Sequence, residues 1–114
     1  MSPRGSAPAA TPARAAPVFA ALGDPTRLGL VARLGAEGPL SIARLSDGAA
    51  VTRQAVSKHL TALAGAGLVR GARRGRERIW RLEPHRLGDA RRWLDDISAQ
   101  WDQALERLRA FVED

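Results

Sequence analysis

The sequence predicts a mainly α-helical domain that carries one small β-hairpin. Three observations predict it. Apolar residues recur at helical spacing between Thr52 and Val69, alternate about a central glycine between Leu68 and Leu82, and repeat every seven residues from Leu87 to Val112. At 114 residues the chain is expected to form one domain with a modest core.

Composition excludes several function classes. The chain has no cysteine, which removes disulfides, thiol catalysis, thiolate metal sites and thiol redox sensing together. It has no apolar run long enough to cross a membrane and no charged start followed by an apolar block, so the expected location is cytoplasmic with no membrane partner. The 18 Lys+Arg against 12 Asp+Glu give a net charge of +6. That charge is concentrated: Thr52 to Arg81 holds eight basic residues and one acid, Glu77, a local net of +7. A positive field confined to one region of an otherwise balanced chain favours a polyanionic partner.

From the N-terminus, residues 1–14 hold three prolines and few residues able to bury apolar surface, and are expected to form a disordered tail ahead of a folded domain at 15–114. Arg4 and Arg14 are placed there to brush phosphates or simply to be solvated. Ala15 to Leu22 reads as a short helix with Val18, Phe19 and Leu22 along one side. Asp24-Pro25 is a start signal for a second helix, because aspartate caps well and proline at the first position loses no hydrogen bond. Leu28, Leu30, Val31 and Leu34 are its core candidates, and Gly38-Pro39 ends it. Leu40 to Ser46 reads as a third short helix, capped by Ser41, with Ile42 and Leu45 inward.

A turn of small residues then leads to a helix over about 52–64. Thr52 can cap it. Arg53, Gln54, Ser57, Lys58 and Thr61 fall within about 140° of one another, while Ala55, Val56, His59, Leu60 and Leu63 take the opposite arc. Gly65 and Gly67 stop it. Two short helices about a tight turn make a helix-turn-helix. An ordinary solvated helix shows the same two arcs; the surrounding charge favours the reading in which the polar arc meets base edges in a DNA major groove. A hairpin spanning about 68–82 follows, with Gly75 at its turn. Trp80 and Leu82 share one face with Arg78, and Ile79 shares the other with Glu77 and Arg81, so the second strand is expected to be sandwiched. The last helix, about 87–112, carries Leu87, Leu94, Trp101 and Leu108 at one seam position and Ala90, Ile97, Ala104 and Phe111 at the other. Trp93, Leu105 and Val112 widen that stripe. A helix of this length spans about 39 Å, more than a small domain can cover, so the seam is assigned to a homodimer.

Helix, helix, helix-turn-helix, hairpin, helix is the order of a winged helix-turn-helix. The stretch Ala21-Leu22-Gly23-Asp24-Pro25-Thr26-Arg27-Leu28, followed by Val56-Ser57-Lys58-His59-Leu60 and Ala66-Gly67-Leu68-Val69, strongly resembles the ArsR/SmtB family of bacterial regulators. The resemblance runs from about Phe19 to the C-terminus. It implies a dimer built from the first and last helices, with Val18, Phe19, Leu22, Leu94, Ile97, Trp101, Leu105, Leu108 and Phe111 at the interface. It also implies a recognition helix at Thr52 to Ala64, a wing at Arg70 to Leu82, and repression relieved by an effector.

Many family members sense metals through a Cys-x-Cys before the turn, where this chain has Ser41, Ile42 and Ala43, with Ser46 near another such position. Others place Asp, His and Glu ligands on the last helix, which here offers Asp89, Asp95, Asp96, Asp102 and Glu106 but no histidine. Zinc and thiophilic metals prefer nitrogen or sulfur ligands, so metal sensing is not expected, and those acids are read as a solvated face. His59, on the apolar arc, is expected to be packed and hydrogen-bonded, and His85 structural or solvated. The chain shows no nucleophile-base pair, paired carboxylates or phosphate loop, and is read as a non-enzyme without cofactors. The leading function is a sequence-specific transcriptional regulator of double-stranded DNA, a homodimeric repressor on a pseudo-palindromic operator. Its candidate DNA contacts are Thr52, Arg53, Gln54, Ser57, Lys58 and Thr61 with Arg73, Arg74, Arg76 and Arg78 of the wing. The alternative is a winged-helix protein-interaction module without DNA binding. The sequence points to no effector.

Overall fold

The structure, a computed structural model, describes residues 11–113. Four of its five helices begin at a side-chain oxygen that accepts a first-turn amide hydrogen. Thr11 caps α1 (Pro12–Leu22), Asp24 caps α2 (Pro25–Glu37), Ser41 caps α3 (Ile42–Ser46) and Thr52 caps α4 (Arg53–Gly65). The donors are Arg14, Arg27, Arg44 and Ala55, at 3.1–3.2 Å. α1 thus starts three residues before the expected Ala15, inside the stretch assigned to the tail, because Thr11-Pro12 is the same cap-and-proline signal as Asp24-Pro25. The rest of that tail, including Arg4, lies outside the described residues.

The structure corrects the expected ends of several elements. Gly65 stays helical, and α4 closes at Gly67, whose φ of +77° lets the Leu68 amide donate to the Leu63 carbonyl at 3.0 Å. Leu40 and Ser41 do not begin the third helix. They form a short strand, β1 (Leu40–Ser41), and only then does α3 start. β2 (Val69–Arg74) and β3 (Glu77–Leu82) form the hairpin, and the sheet order is β1-β3-β2, antiparallel throughout. β3 is therefore the central strand, with Trp80 opposite Leu40 on one side and Gly71 on the other. Ile79 is half-buried and Trp80 buried, so the side chains on both faces of this strand are at least partly covered. The last helix, α5 (Pro84–Glu113), begins at Pro84 rather than Leu87, with proline at its first position.

The core joins Val18 and Ala21 of α1, Leu30 and Leu34 of α2, Leu45 of α3 and Val56, Leu60 and Leu63 of α4 to Leu68, Val69, Trp80 and Ala90. Leu28, expected inside, is 51% exposed, because Leu30 and Leu34 turn the inward face of α2 away from it. Only the first part of α5 packs on the body, chiefly against α1. Beyond Ile97, the side chains of Trp101, Leu105, Leu108, Phe111 and Val112 are exposed. No helix among the described residues is long and apolar enough to cross a membrane.

Candidate nucleic-acid interface

α4 is seated by its apolar arc. Val56, Leu60 and Leu63 are fully buried, which turns Arg53, Gln54, Lys58 and Thr61 outward and leaves Ser57 half-buried. A second anchor comes from α2. The Arg27 Nε–H donates to His59 Nδ1 at 3.1 Å, and a second nitrogen of Arg27 reaches the Ala21 carbonyl at 3.4 Å. With Nδ1 accepting, the neutral ring carries its proton on Nε2. Asp24 Oδ2 lies 4.0 Å from the same imidazole nitrogen. The backbone hydrogen bond from Arg27 is the main reason the Asp24 carboxyl sits below its usual pKa; burial opposes it, and the Thr26 amide and the Arg27 charge add to it. His59 is thus the packed, hydrogen-bonded residue expected, and it fixes α4 against α2.

The outward groups of α4 differ in what they have left to offer. Arg53, Gln54 and Lys58 form no hydrogen bond or ion pair with a side chain among the described residues. Thr52 accepts the Ala55 amide and keeps its own hydroxyl proton. Thr61 spends its proton on the Ser57 carbonyl at 3.0 Å, so toward a ligand it can only accept.

The hairpin separates its arginines by face and height. Arg73 stands opposite Arg78, and Arg74 opposite Glu77. Arg73, Arg74 and Arg76 are exposed around Gly75, whose φ of +63° makes the tight turn, and none has an ion-pair partner among the described residues. Arg78 behaves differently. Its guanidinium carbon lies 5.3 Å from the centroid of Trp80, a cation–π distance, so the side chain folds back along its own strand. Gly71 makes room for this pair: a Cβ there would come within 2.8 Å of Arg78 Nε and 3.1 Å of the Trp80 ring. Lower still, Arg70 is paired with Glu83 at 3.3 Å.

The expected interface residues also divide. Val18 is buried within the chain and has no surface left for a partner, whereas Phe19 and Leu22 are half-buried. On α5, Ile97 is half-buried and Leu94, Trp101, Leu105, Leu108 and Phe111 are exposed. Asp89 contradicts the solvated face assigned to the acids of this helix. It is 1% exposed and held by Arg14 at 3.1 Å, Arg86 at 3.5 Å and Arg92. Arg86 and Arg92 sit three residues either side of Asp89, a spacing legible in the sequence; Arg14 arrives from the other end of the chain. Among the described residues no three His, Asp or Glu side chains gather as a metal cluster would require.

A three-stranded sheet whose hairpin flanks a helix-turn-helix, with basic side chains on both, defines a winged helix-turn-helix protein of the DNA-binding class. A family model described as a helix-turn-helix domain matches residues 22–72. An HTH-type transcriptional regulator of Mycobacterium tuberculosis is 40% identical over 93 residues, covering 82% of this chain and 83% of its own length. The chain belongs to the ArsR/SmtB family of transcriptional regulators. An ArsR-like transcriptional regulator from Rhodococcus superimposes with a TM-score of 0.73 at 38% identity, over 87% of this chain and 92% of its own. A homodimeric winged helix-turn-helix DNA-binding domain from Mycobacterium bovis superimposes with a TM-score of 0.60 at 25% identity, over 83% and 84% of the two chains.

Proposed function

We propose that this protein is a homodimeric repressor that binds a pseudo-palindromic operator in the cytoplasm, without catalytic activity. The observation that carries the reading is the outward row Arg53, Gln54 and Lys58 on a helix whose opposite face is buried. Guanidinium and amide groups there can each make two hydrogen bonds to a base edge. The wing-tip residues Arg73, Arg74 and Arg76 hold phosphates beside it, which positions the helix without adding sequence information. Thr52 and Ser57 assist, Thr61 acts only as an acceptor, and Arg78 serves mainly to brace the wing through Trp80. Dimerisation through α5, with Phe19 and Leu22 of α1, covers the exposed stripe and sets two recognition helices at fixed spacing, which is why the operator is two-fold. The Mycobacterium bovis domain is homodimeric, which supports a dimer of this chain.

The test is an electrophoretic shift on the DNA upstream of the protein's own gene, followed by footprinting. Protection of two half-sites related by symmetry is expected. No shift of either that DNA or random DNA would favour the alternative, a winged-helix module that binds another protein and not DNA.

A further inference from the structure

On the side of α1 away from Phe19 and Trp93 lies a crevice of about 390 Å³. Ala13, Arg14, Pro17 and Val18 line it from α1, Ala64 to Gly67 from the end of α4, and Arg86 from the start of α5. A separate groove on α1 is formed by Pro12, Ala15, Ala16 and Phe19 with Trp93. At 100° per residue the two sets of α1 side chains point in opposite directions. The crevice therefore stays open when the Phe19 side of α1 and the α5 stripe are covered.

Its chemistry is that of an anion site with an apolar floor. Three guanidiniums converge on the single carboxylate of Asp89, which leaves two positive charges uncompensated in a partly buried place. Two of them, Arg14 and Arg86, face the crevice. The C-terminal end of α4 would by itself repel an anion. Here it does not dominate, because the Ala62, Leu63 and Ala64 carbonyls are taken by the Ala66, Leu68 and Gly67 amides, and the Arg86 side chain lies over Gly67. Pro17, Ala64 and Ala66 supply apolar wall, and the volume falls within the range of small-molecule pockets.

We infer that this crevice binds a small organic anion, one carboxylate on a short apolar body, with the carboxylate on Arg14 and Arg86. An occupant touches the helix proposed to read DNA and both helices proposed to form the dimer, which is the placement an effector requires. The binding step itself does not rest on the DNA-binding reading.

The experiment is a nuclear magnetic resonance titration of the full chain, without DNA, using hexanoate and its uncharged counterpart hexanamide. Hexanoate should shift the amide signals of Gly65, Ala66 and Gly67 saturably, and hexanamide at the same concentrations should not. Arg86→Gln removes one charged partner while Arg14 and Arg92 still hold Asp89, and should weaken binding by about ten-fold or more. Ala13→Trp, at an exposed position on the rim, should block the crevice with every arginine in place, and keeps the test valid if Arg86→Gln does not fold. Equal shifts with hexanamide, an absence of saturable shifts, or unchanged affinity in Ala13→Trp would each overturn the inference. Because no DNA is present, such a failure is separate from any failure to bind an operator.

Discussion

Asp24 and Asp89 both ionise more readily than a free aspartate, for different reasons. Asp24 is held mainly by a backbone amide at the start of α2. For Asp89, burial pushes the pKa up, but the hydrogen bond and charge of Arg14, with the charges of Arg92 and His85, bring the net shift below the usual value. A carboxylate whose pKa is lowered by folding contributes stability that is fully present above its unfolded pKa and is lost as pH falls through the folded one. Asp89→Asn should therefore melt at a lower temperature than wild type at neutral pH, where it leaves three arginines crowded around an amide. The gap should close as pH falls below about 4. Paired thermal melts at neutral and acid pH check this; a gap independent of pH would mean that shape, not charge, holds the cluster. At the proposed DNA interface, Arg53→Ala and Gln54→Ala should each remove a base contact worth about 1–3 kcal/mol of discrimination. The affinities of point-mutated operators give the measurement. Preference should flatten at one symmetric pair of positions, and an unchanged ranking would show that this row does not read bases.

At the scale of elements, the wing can be separated from the helix beside it. Arg74→Ala with Arg76→Ala removes two proposed phosphate contacts per subunit and four per dimer, so the slope of log affinity against log salt should flatten by up to about 3.6. Operator and random DNA should lose affinity alike, because phosphates carry little sequence information. A salt titration of both DNAs is the check, and an unchanged slope would leave the wing in solvent. The elements themselves were largely legible in the sequence, since caps, periodicity and glycine turns are local signals: α2, α4 and the hairpin lie close to where Asp24, Thr52 and Gly75 put them. Features made by distant partners were not. β1 has only two residues, too few for alternation to show, and exists because β3 pairs with it. Leu28 has the helical spacing of a core residue, but nothing local tells which side of α2 its neighbours will cover. The row on α4 was visible from its arcs, whereas the diversion of Arg78 onto Trp80 and of the Thr61 proton onto its own helix depends on side-chain geometry.

For the molecule as a whole, the exposed stripe on α5 and the paired sheet make separate demands. Trp101→Ala or Leu108→Ala should disrupt the proposed dimer. Removing a large buried side chain costs about 2–5 kcal/mol, and in a symmetric dimer each change acts twice. Sedimentation should show monomer or aggregate, with operator affinity falling in step, and a well-folded variant that stays dimeric would place the interface elsewhere. The sheet acts within one chain. Leu40 and Trp80 are neighbours across β1 and β3 although forty positions apart, and the strand that supports the wing also pairs the residues just ahead of α3. The helix-turn-helix is for this reason not expected to fold as an independent unit. During synthesis it must wait for the wing to emerge before the buried backbone of Leu40 and Ser41 finds its partners, and a fragment ending at Gly67 has no strand to give them. The wing and the helix-turn-helix are therefore expected to unfold together in one cooperative transition under heat or denaturant, and a wing that melts first would show that the two-residue ladder does not couple them.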